Sequence, residues 1–291
     1  MQIIRFGRSV VNIFGLNKNL NMSQDHYIHG YSEDEQKRLS TLNDLLNARC
    51  LTKLQVRENQ HVLDVGCGLG QLTAQVAQLV KPTGRAVGVE IDVRQLSKAR
   101  EQVIQNDLVE FRQGSAYNLP LSDLEWGSFD LIYTRFLLEH VKHPDQVVNQ
   151  MVAAAKTNGR IVLMDDDHAQ FQLYPAVPGF GQLWTAYCRS YDRIGNDPFV
   201  GRRLVHLLHE AGLDKVHNDY IFFGCTYADP LFGSFVDNII GILEGSKELI
   251  LEHKLIGKRS FLLGIENFDQ WKTLPGAAIW YAMNVAEGQK T

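Results

Sequence analysis

Residues 61–70 read HVLDVGCGLG, a short apolar strand that runs directly into three closely spaced glycines. Glycine lacks a Cβ atom, so the backbone after this strand can approach a bound ligand closely. In a parallel α/β sheet such a turn lies at the carboxyl edge, where the following helix begins. The stretch therefore predicts an α/β fold with a ligand site at the end of its first strand.

Two acidic residues accompany the glycines. Asp64 lies just ahead of them, and Glu90 ends the next predicted strand, at the usual interval for a carboxylate that binds both hydroxyls of a ribose. A carboxylate at Asp64 would repel the pyrophosphate of a dinucleotide, whereas it favours a cationic ligand. The Gly-x-Gly-x-Gly spacing also differs from the Gly-x-Gly-x-x-Gly of dinucleotide sites. These features favour S-adenosylmethionine (SAM), which has no phosphate and carries cationic groups, over NAD.

Strand-like and helix-like segments alternate outward from this motif. Five strands are predicted, at residues 61–65, 86–90, 109–112, 129–133 and 159–164. Predicted helices between them imply right-handed crossovers and parallel strands. Two more strands, at residues 216–223 and 278–285, return to the sheet. The pattern predicts a Rossmann-like, mostly parallel seven-stranded sheet with helices on both faces.

The chain divides into three predicted regions. Residues 1–44 form an N-terminal helical extension and lid, 45–170 the SAM-binding core, and 171–291 a substrate-side region with the last strands and a helical insertion. Residues 1–22 are a targeting or membrane-surface segment, an extra helix on the domain, or a tail from an early start codon ahead of Met22. Their apolar stretch is too short and interrupted to span a bilayer, which favours the last two interpretations. Residues 171–193 read as aromatic-rich and irregular.

Bulky side chains are concentrated in the substrate-side region. They can form the walls of a pocket for an organic small molecule, the core of a helical cap or the interface of a homodimer, and the sequence does not rank these roles. The residues concerned are Phe180, Trp184, Tyr187, Tyr191, Phe232, Phe235, Phe261, Phe268 and Trp271.

The composition narrows the function classes. Of the 291 residues, 45% are hydrophobic, which suffices for a packed core. The net charge of −4 argues against a constitutive nucleic-acid-binding protein. The widely separated cysteines at positions 50, 67, 188 and 225 indicate neither a zinc site nor a disulfide framework, so a cytoplasmic location fits best. No stretch is long enough to predict an integral membrane span.

From about residue 45 to residue 165 the sequence resembles the class I SAM-dependent methyltransferases. It most resembles the branch that includes ubiquinone and menaquinone biosynthesis methyltransferases. Besides the glycines and the two acids, the resemblance rests on Gly114-Ser115-Ala116 with Leu119-Pro120, Phe129-Asp130-Leu131-Ile132, Leu138-Glu139-His140-Val141 and Asn158-Gly159-Arg160-Ile161-Val162-Leu163. It implies methyl transfer from SAM to a small organic molecule, at an oxygen, nitrogen or carbon atom.

The resemblance also implies roles for individual positions at the methionine end of SAM. Gly66, Gly68 and Gly70 pass under the methionine part of the cofactor. Asp64 orients that loop and the amino group. Apart from the resemblance, Arg135 at the end of the fourth strand is expected to meet the SAM carboxylate or a substrate anion, or else to form an ordinary surface salt bridge.

At the nucleoside end, the resemblance implies that Glu90 holds the ribose and Ile91 packs on the adenine. Ser115 and Ala116 lie at the adenine edge, where Ser115 replaces an acid that is commoner in the family. Tyr27 precedes the first core helix, where it either belongs to a lid that closes over the cofactor or simply packs against its neighbours.

Catalysis needs few special side chains. Methyl transfer from a sulfonium is an in-line displacement, so the protein mainly aligns donor and acceptor and excludes water. Some acceptors also need a base. His140 is the candidate base or substrate-orienting residue, because it follows the fourth strand near the carboxyl edge and imidazole titrates near neutral pH. The alternative is a helix residue that packs behind the sheet.

Asp165, Asp166, Asp167 and His168 end the fifth strand at the same edge. Such residues can bind a divalent metal ion. The fourth strand supplies no carboxylate at 133–135, so half of a metal site is missing and no metal is predicted. The modest interpretation is a polar floor that recognises an amine or hydroxyl group.

Other functions stay open beside small-molecule methylation. An RNA or protein methyltransferase would need a basic, aromatic-lined face, which the net charge disfavours. A SAM-binding regulator or partner protein would have no pocket leading to the methyl group. An NAD-dependent oxidoreductase is disfavoured by Asp64 and by the glycine spacing.

Overall fold

The computed structural model describes residues 33–101 and 108–291. The predictions for Tyr27, for residues 1–22 and for most of the lid lie outside these residues. The described helices are α1 Glu33–Leu54, α2 Gln71–Leu79, α3 Val93–Glu101, α4 Pro144–Ala154, α5 Phe180–Ile194, α6 Leu204–Glu210, α7 Phe232–Gly245, α8 Lys247–Glu252 and α9 Lys258–Trp271. The described strands are β1 His61–Val65, β2 Arg85–Glu90, β3 Val109–Gln113, β4 Phe129–Arg135, β5 Ala155–Asp166, β6 Gln172–Tyr174, β7 Asp214–Thr226 and β8 Ala278–Gln289.

The strands form one mixed sheet. β3, β2, β1, β4 and β5 lie side by side and are parallel, and β8 follows β5 in antiparallel orientation. β6 and β7 both pair with β8, again antiparallel. The predicted Rossmann-like, mostly parallel architecture is confirmed. The short strand β6 is an addition to the seven predicted strands.

Side chains that alternate along the strands supply two apolar cores, one on each face of the sheet. In β5, Val162 and Met164 face the first core, while Ile161 and Leu163 face the second. Helices α1, α2, α5, α7 and α9 bury side chains in the first core, and α4 and α6 bury theirs in the second. The helices therefore cover both faces, as the sequence pattern predicts.

One local expectation was wrong. Residues 171–193 read as irregular, but most of this segment is helix α5 and a smaller part is strand β6. The helix lies between Gly179 and Gly195, which both have a left-handed backbone. Leu183, Tyr187 and Tyr191 recur every four residues and are buried on one face, so this helix carries its apolar stripe largely in aromatic residues.

The sheet order positions a site. β2, which follows β1 in the chain, lies on one side of β1, whereas β4 lies on its other side. The strand order therefore reverses at β1 and β4, which makes their carboxyl ends a topological switch point. The carboxyl ends of β1, β4 and β5 meet at this edge. Within the described residues, no helix is long and apolar enough to cross a membrane.

Candidate active site

The glycine loop after β1 has a conformation that other residues would strain. Gly66, Gly68 and Gly70 have φ angles of 79°, 54° and 71°. A Cβ at Gly70 would lie 2.4 Å from the Phe111 ring. The amides of Gly66 and Cys67 donate to the carbonyl of Val89 at 2.8 and 3.0 Å, which holds the loop against β2. The loop is therefore fixed before any ligand binds.

Asp64 lies beneath this loop with 4% of its surface exposed. Thr73 and the Tyr133 hydroxyl both donate to its Oδ2, at 2.6 and 2.7 Å. Burial is the largest influence on this carboxyl and raises its pKa from 3.8 to about 6, against the opposing effect of these hydrogen bonds. A cation in the adjoining cavity would favour the ionised carboxylate.

Glu90 meets the glycine loop from the end of β2. Its Oε2 accepts the Gly68 amide and its Oε1 accepts the Asp92 amide, each at 2.9 Å. The neighbouring Ile91 is 60% exposed, which leaves its side chain available to a flat ligand. The carboxylate is therefore held in a fixed orientation beside the loop, as a ribose-binding role requires.

Ser115 and Ala116 follow β3, beside the end of β2. Ser115 Oγ accepts the Tyr117 amide at 3.2 Å, and the residue forms an isolated antiparallel bridge with Asn118. Both residues are half-buried. They lie along the same sheet edge as Glu90 and Ile91, and none of these four residues lines the cavity that opens beside the glycine loop.

Arg135 ends β4 and reaches toward α1. Its guanidinium donates to Asn47 Oδ1 at 2.8 Å and also to Asn43 Oδ1. Arg135 lines the cavity that opens beside the glycine loop, and its positive charge weakly lowers the pKa of Asp64. Among the described residues, two side-chain amides of α1 hold the arginine, in place of an ordinary surface salt bridge.

A cavity of about 1150 Å³, including its opening to solvent, extends from the glycine loop into the substrate-side region. Gly66, Gly68 and Asp64 line one end. Aromatic side chains line the other end: Trp184, Tyr187, Phe223, Phe235 and Tyr281. One continuous space therefore joins the predicted cofactor loop to an aromatic wall.

The nine bulky residues singled out in the sequence divide between two roles. Trp184, Tyr187 and Phe235 line the cavity. The other six do not, and they are buried in the first apolar core, largely beneath the helical insertion: Phe180, Tyr191, Phe232, Phe261, Phe268 and Trp271. The insertion thus packs onto the core of that face of the sheet and gives the cavity one aromatic wall residue, Phe235.

His140 lies on a 3-10 turn, Leu138–His140, directly after β4. It is 9% exposed and lines the cavity, so it does not pack behind the sheet. Its ring stacks on Tyr191 with centroids 5.9 Å apart, and its Nε2 is 3.4 Å from Glu139 Oε1. Burial, together with repulsion from His168, lowers the pKa of His140 to about 3.

The four polar residues at the end of β5, Asp165 to His168, have separate roles. Asp165 Oδ2 accepts the amides of Leu137 and Leu138 at 3.1 and 2.7 Å, which fixes the turn after β4. Asp167 forms a bidentate ion pair with Arg202, outside the cavity. Asp166 and His168 line the cavity. Only the last two can contact a ligand there.

Glu139 is a polar cavity residue for which the sequence predicted no role in the site. It is 4% exposed, lines the cavity, and has a ligand atom within 4.8 Å of others from Asp166 and His168. Burial raises the pKa of Glu139 to about 7, and burial with repulsion from Glu139 raises that of Asp166 well above its ordinary value. Burial lowers the pKa of His168. The available signal was the position of Glu139 immediately before His140.

Comparison with known proteins gives a family match. Residues 57–212, more than half of the chain, match the model of a family described as "Methyltransferase domain". The matched segment begins just before β1 and ends just after α6. It therefore contains the glycine loop, both acids and the turn after β4.

Curated relatives cover different shares of the chain. The demethylmenaquinone methyltransferase of Desulfitobacterium hafniense is 22% identical over 76% of this chain and 90% of that protein. The ubiquinone/menaquinone biosynthesis C-methyltransferase UbiE of Pseudomonas aeruginosa is 29% identical, over 56% of this chain and 69% of that protein. An uncharacterized 37.1 kDa protein in transposon TN4556 of Streptomyces fradiae is 30% identical over 56% of this chain. The match covers 46% of that protein, which is less than half of its length.

A solved structure supports the same fold. Phosphoethanolamine N-methyltransferase 2 of Haemonchus contortus, in complex with phosphomonomethylethanolamine and S-adenosylhomocysteine, has a TM-score of 0.51 to this chain. The sequences are 16% identical, and the match covers 84% of this chain and 52% of that one. At this identity the likeness shows the fold alone.

Proposed function

Because the chain belongs to the SAM-dependent methyltransferase family, we propose that it transfers the methyl group of SAM to a small organic molecule bound in the cavity. The observation that carries this proposal is the continuity of the cavity. It begins at the glycine loop, where the family binds its cofactor, and ends at a wall of aromatic side chains. Donor and acceptor can therefore be aligned in one continuous space, which is what an in-line displacement requires.

SAM occupies the glycine-loop end in this proposal. Its methionine part lies over Gly66 and Gly68, with its positively charged amino group toward Asp64. Both glycines and the acid line the cavity, which supports this assignment. Arg135 lines the same end and can meet the carboxylate of the methionine part by releasing an asparagine of α1.

The nucleoside part extends toward β2 and β3. Glu90 accepts the ribose hydroxyls, and the exposed Ile91 packs on one face of the adenine. Ser115 and Ala116 meet the adenine edge. Tyr27 closes over the cofactor, a role that follows from the family resemblance alone.

The acceptor is an aromatic molecule with a hydroxyl group, of the quinol or phenol kind. Two relatives are named for methylation in menaquinone or ubiquinone biosynthesis. Trp184, Tyr187 and Phe235 offer flat apolar surfaces to such a ring. Asp166 and His168 supply polar groups at the cavity floor for its hydroxyl.

His140 orients the acceptor in this proposal. It lines the cavity from the turn after β4, and its stacking on Tyr191 fixes the plane of the imidazole. This fixed ring can hydrogen-bond a hydroxyl of the acceptor without changing its own position.

The remaining proposals rest on more general features. The cavity continues past the glycine loop, which disfavours a SAM-binding protein without an acceptor. The net charge of −4 disfavours a nucleic-acid substrate.

A homodimer is compatible with β7, an outer strand of the described sheet on which Tyr220 and Phe222 are exposed. A cytoplasmic enzyme fits the four free thiols.

An acceptor screen tests the proposal. Purified protein is incubated with methyl-labelled SAM and a panel of quinols, phenols and amines, and S-adenosylhomocysteine formation is measured. We expect acceptor-dependent turnover with a hydroxylated aromatic. Phe235→Ala should raise the KM for that acceptor about tenfold, the effect of about 1.4 kcal/mol of lost contact, and leave SAM affinity unchanged.

Leu263→Ala is the matched control, because Leu263 is 45% exposed and does not line the cavity. It should leave the KM unchanged. SAM binding without turnover on any acceptor would contradict catalysis and favour a regulatory SAM-binding protein. Equal effects of the two substitutions would contradict the acceptor site.

A further inference from the structure

Three side chains with metal-ligand chemistry converge on the cavity wall. Glu139 comes from the turn after β4, and Asp166 and His168 come from the end of β5. One ligand atom from each lies within 4.8 Å of the other two. The acids and the histidine at the end of β5 make half of a metal site, and Glu139 supplies a carboxylate from the β4 side.

Two carboxylate oxygens of this cluster have unmet bonding capacity. Glu139 Oε2 and Asp166 Oδ1 are buried and accept no hydrogen bond from the described residues. The Glu139 side chain is only 5% exposed, so solvent reaches it poorly. A buried carboxylate oxygen without a donor is costly, which points to a missing positive partner.

The hydrogen bonds of Tyr281 indicate which nitrogen of His168 is available. The Tyr281 hydroxyl lies 2.8 Å from His168 Nδ1 and also hydrogen-bonds Asp166. A hydroxyl has one proton to donate, and a carboxylate is the stronger acceptor. His168 Nδ1 therefore carries a proton and donates to Tyr281, which leaves the lone pair on Nε2.

That lone pair faces a carboxylate. His168 Nε2 lies 3.2 Å from Glu139 Oε2. Two acceptors at this distance need either a proton that they share or a metal ion that binds both. A metal ion would lie to one side of the line that joins the two atoms, because bonds of about 2.1 Å from a metal to nitrogen and oxygen do not fit end to end within it. A proton would satisfy the Glu139–His168 pair only, whereas an ion would also satisfy Asp166.

We propose that Glu139, Asp166 and His168 bind a divalent transition-metal ion on the wall of the cavity. One imidazole nitrogen and two carboxylate oxygens suit Mn²⁺, Fe²⁺, Co²⁺ or Zn²⁺ better than Mg²⁺ or Ca²⁺, which prefer oxygen ligands alone. Tyr281 orients the imidazole from behind, as partners of metal-bound histidines commonly do.

The site would face the acceptor. Three protein ligands leave open coordination positions, and all three residues line the cavity. The role of the ion rests on the proposed function. The ion would bind a hydroxyl oxygen of the acceptor and favour its deprotonated form, with the proton released to solvent. This narrows the acceptor to molecules with an acidic hydroxyl, such as phenols and enols.

Metal titration of the full chain tests the site. Protein freed of metal by chelation is titrated separately with Mn²⁺, Zn²⁺ and Mg²⁺ by calorimetry, and the loss of the free Mn²⁺ signal is followed by electron paramagnetic resonance. We expect one Mn²⁺ or Zn²⁺ per chain and much weaker binding of Mg²⁺. Glu139→Gln and His168→Gln should each weaken binding by at least about 100-fold, since loss of an outer partner alone costs 10–100-fold.

Two further variants keep the test decisive. Tyr281→Phe removes only the orienting hydroxyl and should weaken binding by about 10–100-fold. Asp167→Asn is the matched control, because it lies between two ligands in sequence but pairs with Arg202. It should bind the ion like the unchanged protein. Far-UV circular dichroism verifies the fold of each variant. If Glu139→Gln or His168→Gln does not fold, the metal affinity of Tyr281→Phe tests the site in its place.

Two results would overturn the metal site. The first is a folded protein that binds none of the three ions, which would leave a proton shared by Glu139 and His168. The second is equal affinity in Glu139→Gln and Asp167→Asn. SAM affinity, measured on the same preparations, separates this inference from the proposed function. SAM binding without metal binding contradicts only the metal site, and metal binding without SAM binding contradicts only the methyltransferase.

Discussion

Asp64→Asn should make the protein more stable and its cofactor binding weaker. Asp64 is buried, and both Thr73 and Tyr133 donate to the same oxygen, Oδ2. The amide oxygen of asparagine can take that position and accept both hydrogen bonds. The substitution therefore removes the charge and keeps the local hydrogen bonds.

The pKa of Asp64 gives the magnitude. It rises from 3.8 to about 6 in the folded protein. A difference of about 2 in pKa corresponds to about 3 kcal/mol, by which the ionised carboxylate destabilises the fold at neutral pH. The amide NH₂ group needs a partner of its own, which costs about 1 kcal/mol. We expect a net gain of about 2 kcal/mol in the free energy of unfolding at pH 7.

The sign of the pH dependence follows from the direction of the pKa change. Because the folded pKa lies above the unfolded one, the stabilisation from protonated Asp64 is complete below pH 3.8 and is lost as the pH rises through 6. The unchanged protein and Asp64→Asn should therefore differ least near pH 4. The advantage of the variant should grow up to about pH 7 and stay constant above it.

Urea unfolding between pH 4 and pH 8 measures this difference, and calorimetry measures SAM affinity. Affinity should fall by at least about tenfold, since a hydrogen bond to a charged group contributes about 1.5–3 kcal/mol. Asp123→Asn, at an exposed aspartate in a turn outside any helix, is the control and should change neither quantity. A variant less stable than the unchanged protein at pH 7, or a stability difference independent of pH, would refute the reasoning.

Three further substitutions have defined outcomes. Gly70→Ala forces a Cβ to within 2.4 Å of the Phe111 ring and should destabilise the fold by about 2–4 kcal/mol in urea unfolding; an unchanged midpoint would contradict the packing argument. Glu90→Gln should weaken SAM binding by about tenfold in calorimetry, because one of the two oxygens proposed to accept ribose hydroxyls becomes a donor, and equal affinity would remove Glu90 from that proposed role. Glu125→Gln breaks a largely buried ion pair with Arg112 and should cost about 3 kcal/mol at pH 7. That pair holds the pKa of Glu125 far below its usual range, so its stabilisation is present at neutral pH and declines as the pH falls below 4.5; a cost of the substitution that is as large at pH 3 as at pH 7 would contradict it.

The regular part of the fold could be predicted because its signals are local. The β1 strand with its glycine turn and the apolar strands that follow are continuous in sequence, and the structure has them within a few residues of the predicted bounds. β6 has three residues and is a strand only because it pairs with β8, so no local pattern marks it. Helix α5 was missed because Tyr187 and Tyr191 carry its apolar stripe, and the aromatic content of the segment hid the helical spacing.

The glycine loop and its two acids were also local signals, and the structure brings Gly68 and Glu90 into hydrogen-bond contact. The polar cluster was not local. Glu139 and His168 are separated by a helix and a strand, and their contact depends on the adjacency of β4 and β5. Likewise, the sequence could not reveal that asparagines of α1 hold Arg135, because that contact depends on how α1 packs on the sheet.

Calorimetric titration of the purified protein with SAM tests the central claim most directly, with NAD as the competing ligand. Gly68→Trp is the blocked variant, because Gly68 lines the cavity and has a positive φ of 54°. Gly181→Trp is its control, at an exposed position of α5 where an added Cβ would meet no other part of the described chain within 4 Å. Micromolar binding of SAM that is lost in Gly68→Trp and kept in Gly181→Trp, with no binding of NAD, is the predicted result. A folded protein that does not bind SAM, or that binds it equally in both variants, would contradict the account.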